Sequence, residues 1–233
     1  MRLAFVLTDQ MLAASCLLPI EMWRAAAETE YGRGRAAQAV DIVTVSGDGQ
    51  PAATQAGIDL APQASVATAG DFDVVYLPAL WRNPRKQIAK QRVLLPWLNA
   101  QAAHGATIAA VGTGCCFLAE AGLLDGKAAT THWHYFERFA RDYPNVRLKR
   151  QYFITQAGRL YCAGSVNALA DVTVHLIEQF FGREVASHVE RTRWSDAIIC
   201  WSTVLTGTAR ISSLRAASSS AFASPRSVLL RRT

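Results

Sequence analysis

The sequence predicts an α/β fold, a mostly parallel β-sheet held between two layers of helices as a three-layer sandwich. Three features point to it. Short apolar runs of strand length alternate with longer segments of helical period through residues 1 to 181. The runs are continuously apolar instead of alternating, as strands covered on both faces must be. One of them also passes directly into a Gly-x-Gly turn and a helix.

Taken in order, residues 2 to 7 (RLAFVL) form the first strand and residues 11 to 28, rich in Ala, Leu and Met, the first helix. A second strand, residues 40 to 46, ends at Gly47-Asp48-Gly49, and residues 57 to 60 make a short excursion before a third strand at 73 to 77. A loop with Pro78, Asn83 and Pro84 leads to a helix over 87 to 103. Residues 107 to 111 (TIAAV) are a fourth strand, followed by Gly112-Thr113-Gly114 and a helix from Cys115 to Ala121. Beyond Asp125-Gly126 the pattern gives a short strand at 129 to 131, a helix at 132 to 143 stopped by Pro144, and strands at 146 to 148, 152 to 155 and 160 to 163. A last helix over 166 to 181 ends at Gly182. In such a sheet ligands bind beyond the carboxyl ends of the strands, so the loops after Leu7, Leu77 and Val111 form the candidate site.

Composition narrows the function. The 233 residues are 51% hydrophobic and 18% charged, which excludes disordered, collagen-like and coiled-coil chains. No segment approaches the roughly eighteen uninterrupted apolar residues of a membrane span, and the chain starts with a strand instead of a signal peptide. A soluble, cytoplasmic protein without a membrane partner is expected. Five cysteines (Cys16, Cys115, Cys116, Cys162, Cys200) lack CxxC spacing, and His104, His134, His175 and His188 are scattered, so neither disulfides nor a metal is expected. There is no GxxxxGK[ST] phosphate loop, and the glycines at 32 to 34 follow a helix instead of a strand; no cofactor is expected. The net charge of +6 is concentrated in residues 192 to 233, where six Arg face the single acid Asp196. Residues 1 to 191 carry only +1, which argues against a protein-wide nucleic-acid face.

The turn continues as GTGCCFLAEAGLLDGKAATTHW (112 to 133), and residues 161 to 182 read YCAGSVNALADVTVHLIEQFFG. In these stretches the chain resembles the PfpI superfamily, with its class I glutamine-amidotransferase-like fold, and more narrowly the sensor domain of AraC/GlxA-type transcriptional regulators. The resemblance spans residues 1 to 191. It implies a flavodoxin-like sheet with a nucleophile-elbow turn, a homodimer, a small nitrogenous metabolite as ligand, and DNA contact only through a C-terminal helix-turn-helix module, which is expected to be missing from this sequence.

The family's enzymes place a cysteine at the elbow in a Cys-x-Gly pattern, an acid near the first helix and often a histidine from the TTH segment. The elbow slot falls here on Gly112 of Gly112-Thr113-Gly114, the acid slot on Ser15, four residues before Pro19, and only His132 is retained. The resemblance therefore implies a non-enzymatic ligand-binding site formed by Ser15, Gly112, Thr113, Gly114, Cys115, His132, Trp133 and Trp81. The alternative is a PfpI-like hydrolase, hydratase or glyoxalase using Cys115 or Cys116 with His132. Those thiols lie in the first turn of the following helix, where burial is the expected state and a redox role the alternative. For His132 a capping or core role weighs equally with a ligand contact. Trp81 and Trp133 are expected in the core, although their faces suit an amine or amide. Arg82, Asn83 and Arg85 are expected on a solvated loop, and Glu21 on the wet face of the first helix.

From Thr192 onward the text departs from the family: it has no Glu and no Lys, a surplus of Ser and Arg, and no sustained period. Residues 192 to 233 are therefore expected to be an atypical tail read out of frame, with a native partner-binding tail as the alternative. Sequencing the gene and translating all three frames from the Val185 codon onward checks this. A helix-turn-helix pattern in a neighbouring frame is the expected result, and a stop in every frame contradicts it.

Overall fold

The computed structural model describes residues 1–32, 40–81 and 83–191. The expectations for Arg82, for Cys200 and for the tail at 192 to 233 lie outside the described residues. In chain order the elements are β1 (Arg2–Leu7), α1 (Ala14–Gly32), β2 (Asp41–Ser46), β3 (Ala52–Ala53), β4 (Asp59–Leu60), β5 (Ala64–Ser65), β6 (Val74–Leu77), α2 (Pro84–Lys90), α3 (Leu94–Ala103), β7 (Thr107–Val111), α4 (Cys115–Glu120), β8 (Ala128–Ala129), α5 (Phe136–Asp142), β9 (Arg147–Leu148), β10 (Ile154–Ala157), β11 (Leu160–Ala163) and α6 (Val166–Phe181). Single 3₁₀ turns over Gly112–Gly114 and Trp133–Tyr135 precede α4 and α5.

Seven strands form one sheet in the order β10-β11-β7-β6-β1-β2-β5. Every pair in it is parallel except the β10–β11 hairpin. The apolar runs are explained at once: β6, β7 and β11 are buried at every position, and β1 at every position after Arg2. From β1 the chain steps to β2 on one side, then returns to β6 on the other. α1 packs beside α6, and α2 and α3 pack against α4; since parallel crossovers are right-handed as a rule, steps in opposite directions place the two groups on opposite faces of the sheet. Between these helices and the sheet, Trp23 Nε1 donates to Tyr76 Oη at 2.9 Å, Tyr76 stacks on Phe5 with centroids 4.7 Å apart, and the Tyr76 hydroxyl reaches Thr173 Oγ1 at 3.3 Å. A buried Trp and Tyr thus satisfy each other's polar ends while filling the core.

Several boundaries differ from the sequence expectation for local reasons. The helix expected over 87 to 103 is two helices. Pro96 has no N–H to bond the Arg92 carbonyl, so it is tolerated only in a first turn, and the chain breaks at 91 to 93 before α3 starts. α2 begins at Pro84 with Asn83 Oδ1 accepting from Arg85 N at 3.2 Å. The segment expected as a helix from 132 starts as a 3₁₀ turn, and α5 covers only 136 to 142. The excursion at 57 to 60 pairs as the small antiparallel β3–β4 ladder, and β8 pairs β9 outside the main sheet. Tyr152 and Phe153, expected in a strand, precede β10, and Phe153 is 70% exposed. Glu21 is exposed, as expected. Among the described residues no helix is long and apolar enough to cross a membrane.

The switch in strand order between β1 and β6 splays their loops apart, and the chain laces them back together. Leu12 N donates to Ala79 O and Trp81 N to Gln10 O, both at 2.8 Å. The 112 to 114 turn closes over this seam. A Cβ on Gly114 would lie 2.2 Å from the Pro78 carbonyl oxygen, whereas one on Gly112 would meet only the Ala79 and His132 Cβ atoms at 3.5 and 3.7 Å. Gly114 is needed for space, and Gly112 for its φ of +54°. Gly114→Ala should therefore lower stability by about 3 kcal/mol, because backbone cannot yield as a side chain can, and Gly112→Ala by only about 1 kcal/mol of left-handed strain. Urea unfolding of the two variants measures this order.

Candidate functional site

Beyond the carboxyl ends of β1, β6 and β7 lies a cavity of about 740 Å³, within the range of small-molecule sites. Its walls come from the three laced loops and from the segment that starts after β8. Leu12 belongs to the first loop; Ala79, Leu80, Trp81 and Asn83 to the second; Gly112 and Thr113 to the elbow turn. The run from His132 to Tyr135, with Glu137 and Arg138, completes the lining.

Hydroxyl groups fix this frame. Thr113 Oγ1 donates to Leu80 O at 2.7 Å and accepts from Leu80 N at 3.1 Å, clasping the second loop to the elbow. Thr131 Oγ1 donates to the Gly112 carbonyl at 2.8 Å, holding the His132 segment against the same turn. Ser15, in the first turn of α1, donates to Leu12 O at 2.6 Å and accepts from Ala79 N at 3.1 Å. Such buried bonds leave few donors or acceptors for anything else in the frame.

The eight residues expected at the site therefore divide. Gly112, Thr113, His132, Trp133 and Trp81 line the cavity; Ser15, Gly114 and Cys115 stand behind its wall. Two expectations are corrected. Trp133 is 71% exposed and Trp81 44% exposed, so neither is a core residue: both lie on short loop turns beyond the sheet, where no element covers them. His132 occupies the N-cap of the 3₁₀ turn, yet its side chain makes no cap bond, and its ring lies 5.5 Å from that of Trp133. Partial burial, with the neighbouring His134 adding to it, lowers the His132 pKa from its ordinary value, which favours the neutral ring.

The sequence reading missed Leu12, Ala79, Leu80, His134, Tyr135, Glu137 and Arg138. The aromatic cluster WHY directly after a strand end was the available signal, hidden by treating the whole segment as one helix. Tyr135 is buried, and its hydroxyl, sealed from the surface on the Cys116 and Asp142 side, has no hydrogen-bond partner among the described residues. Glu137, at the rim, is held ionised by the Arg150 guanidinium, which lowers its pKa. Asn83 lines the cavity as well as capping α2, and Arg85 is exposed and reaches Asp142 at 3.6 Å.

The thiols are buried, as expected. Cys115 and Cys116 are fully enclosed; Cys115 Sγ points to Ala110 O at 3.6 Å, away from the cavity. Burial pushes both thiols well above the ordinary range, with the Cys162 thiol adding to the rise at Cys115 and Asp142 at Cys116. Desolvation thus outweighs any stabilisation by the start of α4. Cys16 is pushed up to about 12 by burial as well. Among the described residues no cluster of His, Cys, Asp or Glu is arranged to hold a metal ion.

A sequence model of the DJ-1/PfpI family matches residues 1–179. The HTH-type transcriptional regulator CdhR of Pseudomonas aeruginosa is 30% identical over 145 residues, 62% of this chain and 42% of the regulator, so the match spans about two fifths of that relative. The isonitrile hydratase of Pseudomonas putida is 27% identical over 152 residues, 65% of this chain and 64% of that protein. Among solved structures, an AraC family transcriptional regulator from Pseudomonas putida superposes with a TM-score of 0.70 at 23% identity, over 82% of this chain and 98% of that one.

Iodoacetamide at about pH 8, where an exposed cysteine is partly thiolate, separates elbow from helix. Peptide mapping should find Cys115 and Cys116 unmodified in the native protein and modified in denaturant, while a cysteine introduced by Gly112→Cys should be modified in the folded state. Modification of native Cys115 or Cys116 would show that the helix start is open to reagents.

Proposed function

The chain belongs to the DJ-1/PfpI family, and on that footing we propose that residues 1 to 191 are a non-enzymatic small-molecule-sensing domain of the AraC/GlxA-like regulator type. The observation that carries this reading is the elbow itself. The strained turn is kept, with φ +54° at Gly112, but the position offers no side chain, and the volume a nucleophile would occupy between Ala79 and His132 is left to the cavity. A cavity bounded by two exposed indoles and an imidazole suits a small nitrogenous metabolite, since the indole faces attract a cationic or polarised N–H group.

Binding would regulate only if the ligand favours one of two states of the domain or of its homodimer. The His132 to Tyr135 segment, joined to the elbow by the Thr131 bond and presenting its Trp to solvent, is the part of the wall on which such a preference would act. DNA contact would fall to a helix-turn-helix module beyond residue 191, as the names of the regulator relatives suggest.

The hydratase relative favours a second reading, cysteine-dependent turnover. Against it stand the burial of Cys115 and Cys116 and their raised pKa values, since the thiolate is the reactive form.

A thermal-shift screen of amines, amino acids, betaines and amides tests the proposal. A ligand at about a hundred times its dissociation constant adds about 2.7 kcal/mol. Trp133→Ala should abolish the shift from any hit, and Cys115→Ser and Cys116→Ser should leave it in place. Consumption of a hit that depends on either cysteine would replace sensing by catalysis.

A further inference from the structure

At the opposite end of the sheet a second cavity, of about 430 Å³, opens beside the amino ends of β7 and β11. It is separate from the sensing cavity: Ala106 lines it just before β7, and Gly112 lines the other just after β7. Its polar groups are Lys127, Arg147, Arg159 and Gln156, with Leu123 and Leu160 among the apolar ones. No acid contributes to the lining.

Backbone bonds set the positions of the three cations. Arg147 N donates to Lys127 O at 2.9 Å in the β8–β9 ladder, which places these residues side by side. Arg159 sits at the tip of the tight β10–β11 hairpin, where its carbonyl accepts from Ile108 N at 2.9 Å. Lys127 Nζ is held by the Leu123 carbonyl at 2.8 Å.

Five cations elsewhere have carboxylate partners: Arg2 with Asp41, Lys90 with Asp9, Arg85 and Arg141 with Asp142, Arg150 with Glu137. Here, among the described residues, neither arginine nor the lysine has a carboxylate within 4 Å. Three like charges around one concavity in a domain of net charge +1 repel one another, and a multivalent anion would remove that repulsion. Two guanidiniums bind planar oxyanions through paired N–H groups.

We propose that the cavity formed by Lys127, Arg147 and Arg159 binds a small multivalent oxyanion, a phosphate ester or polycarboxylate, whose apolar body rests on Leu123 and Leu160. Its size favours a small molecule over a nucleic-acid backbone. The proposal does not depend on the sensing reading, since it uses none of the same residues.

Isothermal titration of the full chain at low salt, with inorganic pyrophosphate and separately with citrate, tests it; the two probes distinguish phosphate from carboxylate. One saturable site is expected for at least one probe, weakened at least tenfold by the double substitution Arg147→Gln and Arg159→Gln and unchanged by Lys86→Gln with Arg92→Gln. If the first variant fails to fold, phenylglyoxal labelling of the unmodified chain reads the same contact: the probe should protect Arg147 and Arg159. Absence of saturable binding, equal loss in the control variant, or absence of protection overturns the proposal. So does a result in which only duplex DNA binding responds to the arginines.

Discussion

The contact on which the site depends is the approach of Gly114 to the Pro78 carbonyl. A parallel sheet whose order reverses between β1 and β6 leaves a gap between the loops that leave those strands. Here the gap is bridged because one residue of the elbow turn has no side chain and lies directly on the backbone leaving β6. From that contact follow the Thr113 clasp on Leu80, the Leu12 and Trp81 bonds across the seam, and the Ser15 bond to Ala79. The cavity floor is the outer surface of this lacing. Ser15 thus stabilises the frame from within, although it stands where the resemblance implied a ligand contact.

The elbow separates two things that family enzymes combine, a strained turn and a nucleophile. Gly112 keeps the first without the second. The neighbouring thiols do not compensate, because the helix turns them into the core, where desolvation holds them protonated. What remains at the cavity is its lining: exposed aromatic faces, the His132 imidazole and the Glu137 carboxylate paired with Arg150.

The architecture was legible from the sequence because buried parallel strands are written as unbroken apolar runs, and β1, β6, β7 and β11 all carry that signature. Helix limits were less legible, since a proline such as Pro96 reads as ordinary helix text until its missing N–H is counted. The site was legible in part. Gly112, Thr113 and His132 follow from the turn and the TTH run. The exposure of Trp81 and Trp133 does not, because composition makes tryptophan a core residue by default and only the tertiary arrangement shows that nothing covers these two. The basic cavity was invisible for a related reason: Lys127, Arg147 and Arg159 are far apart in sequence and meet only through strand pairing.

The central claim is that a small molecule binds without covalent chemistry between the elbow and the two open indoles. Titration of ¹⁵N-labelled protein with a ligand, followed through the tryptophan indole N–H signals, tests it most directly. The account predicts saturable, reversible shifts for Trp81 and Trp133, with Trp23, bonded to Tyr76 in the core, unmoved. Shifts that bypass Trp81 and Trp133, or a signal change that does not reverse on dialysis, would contradict it.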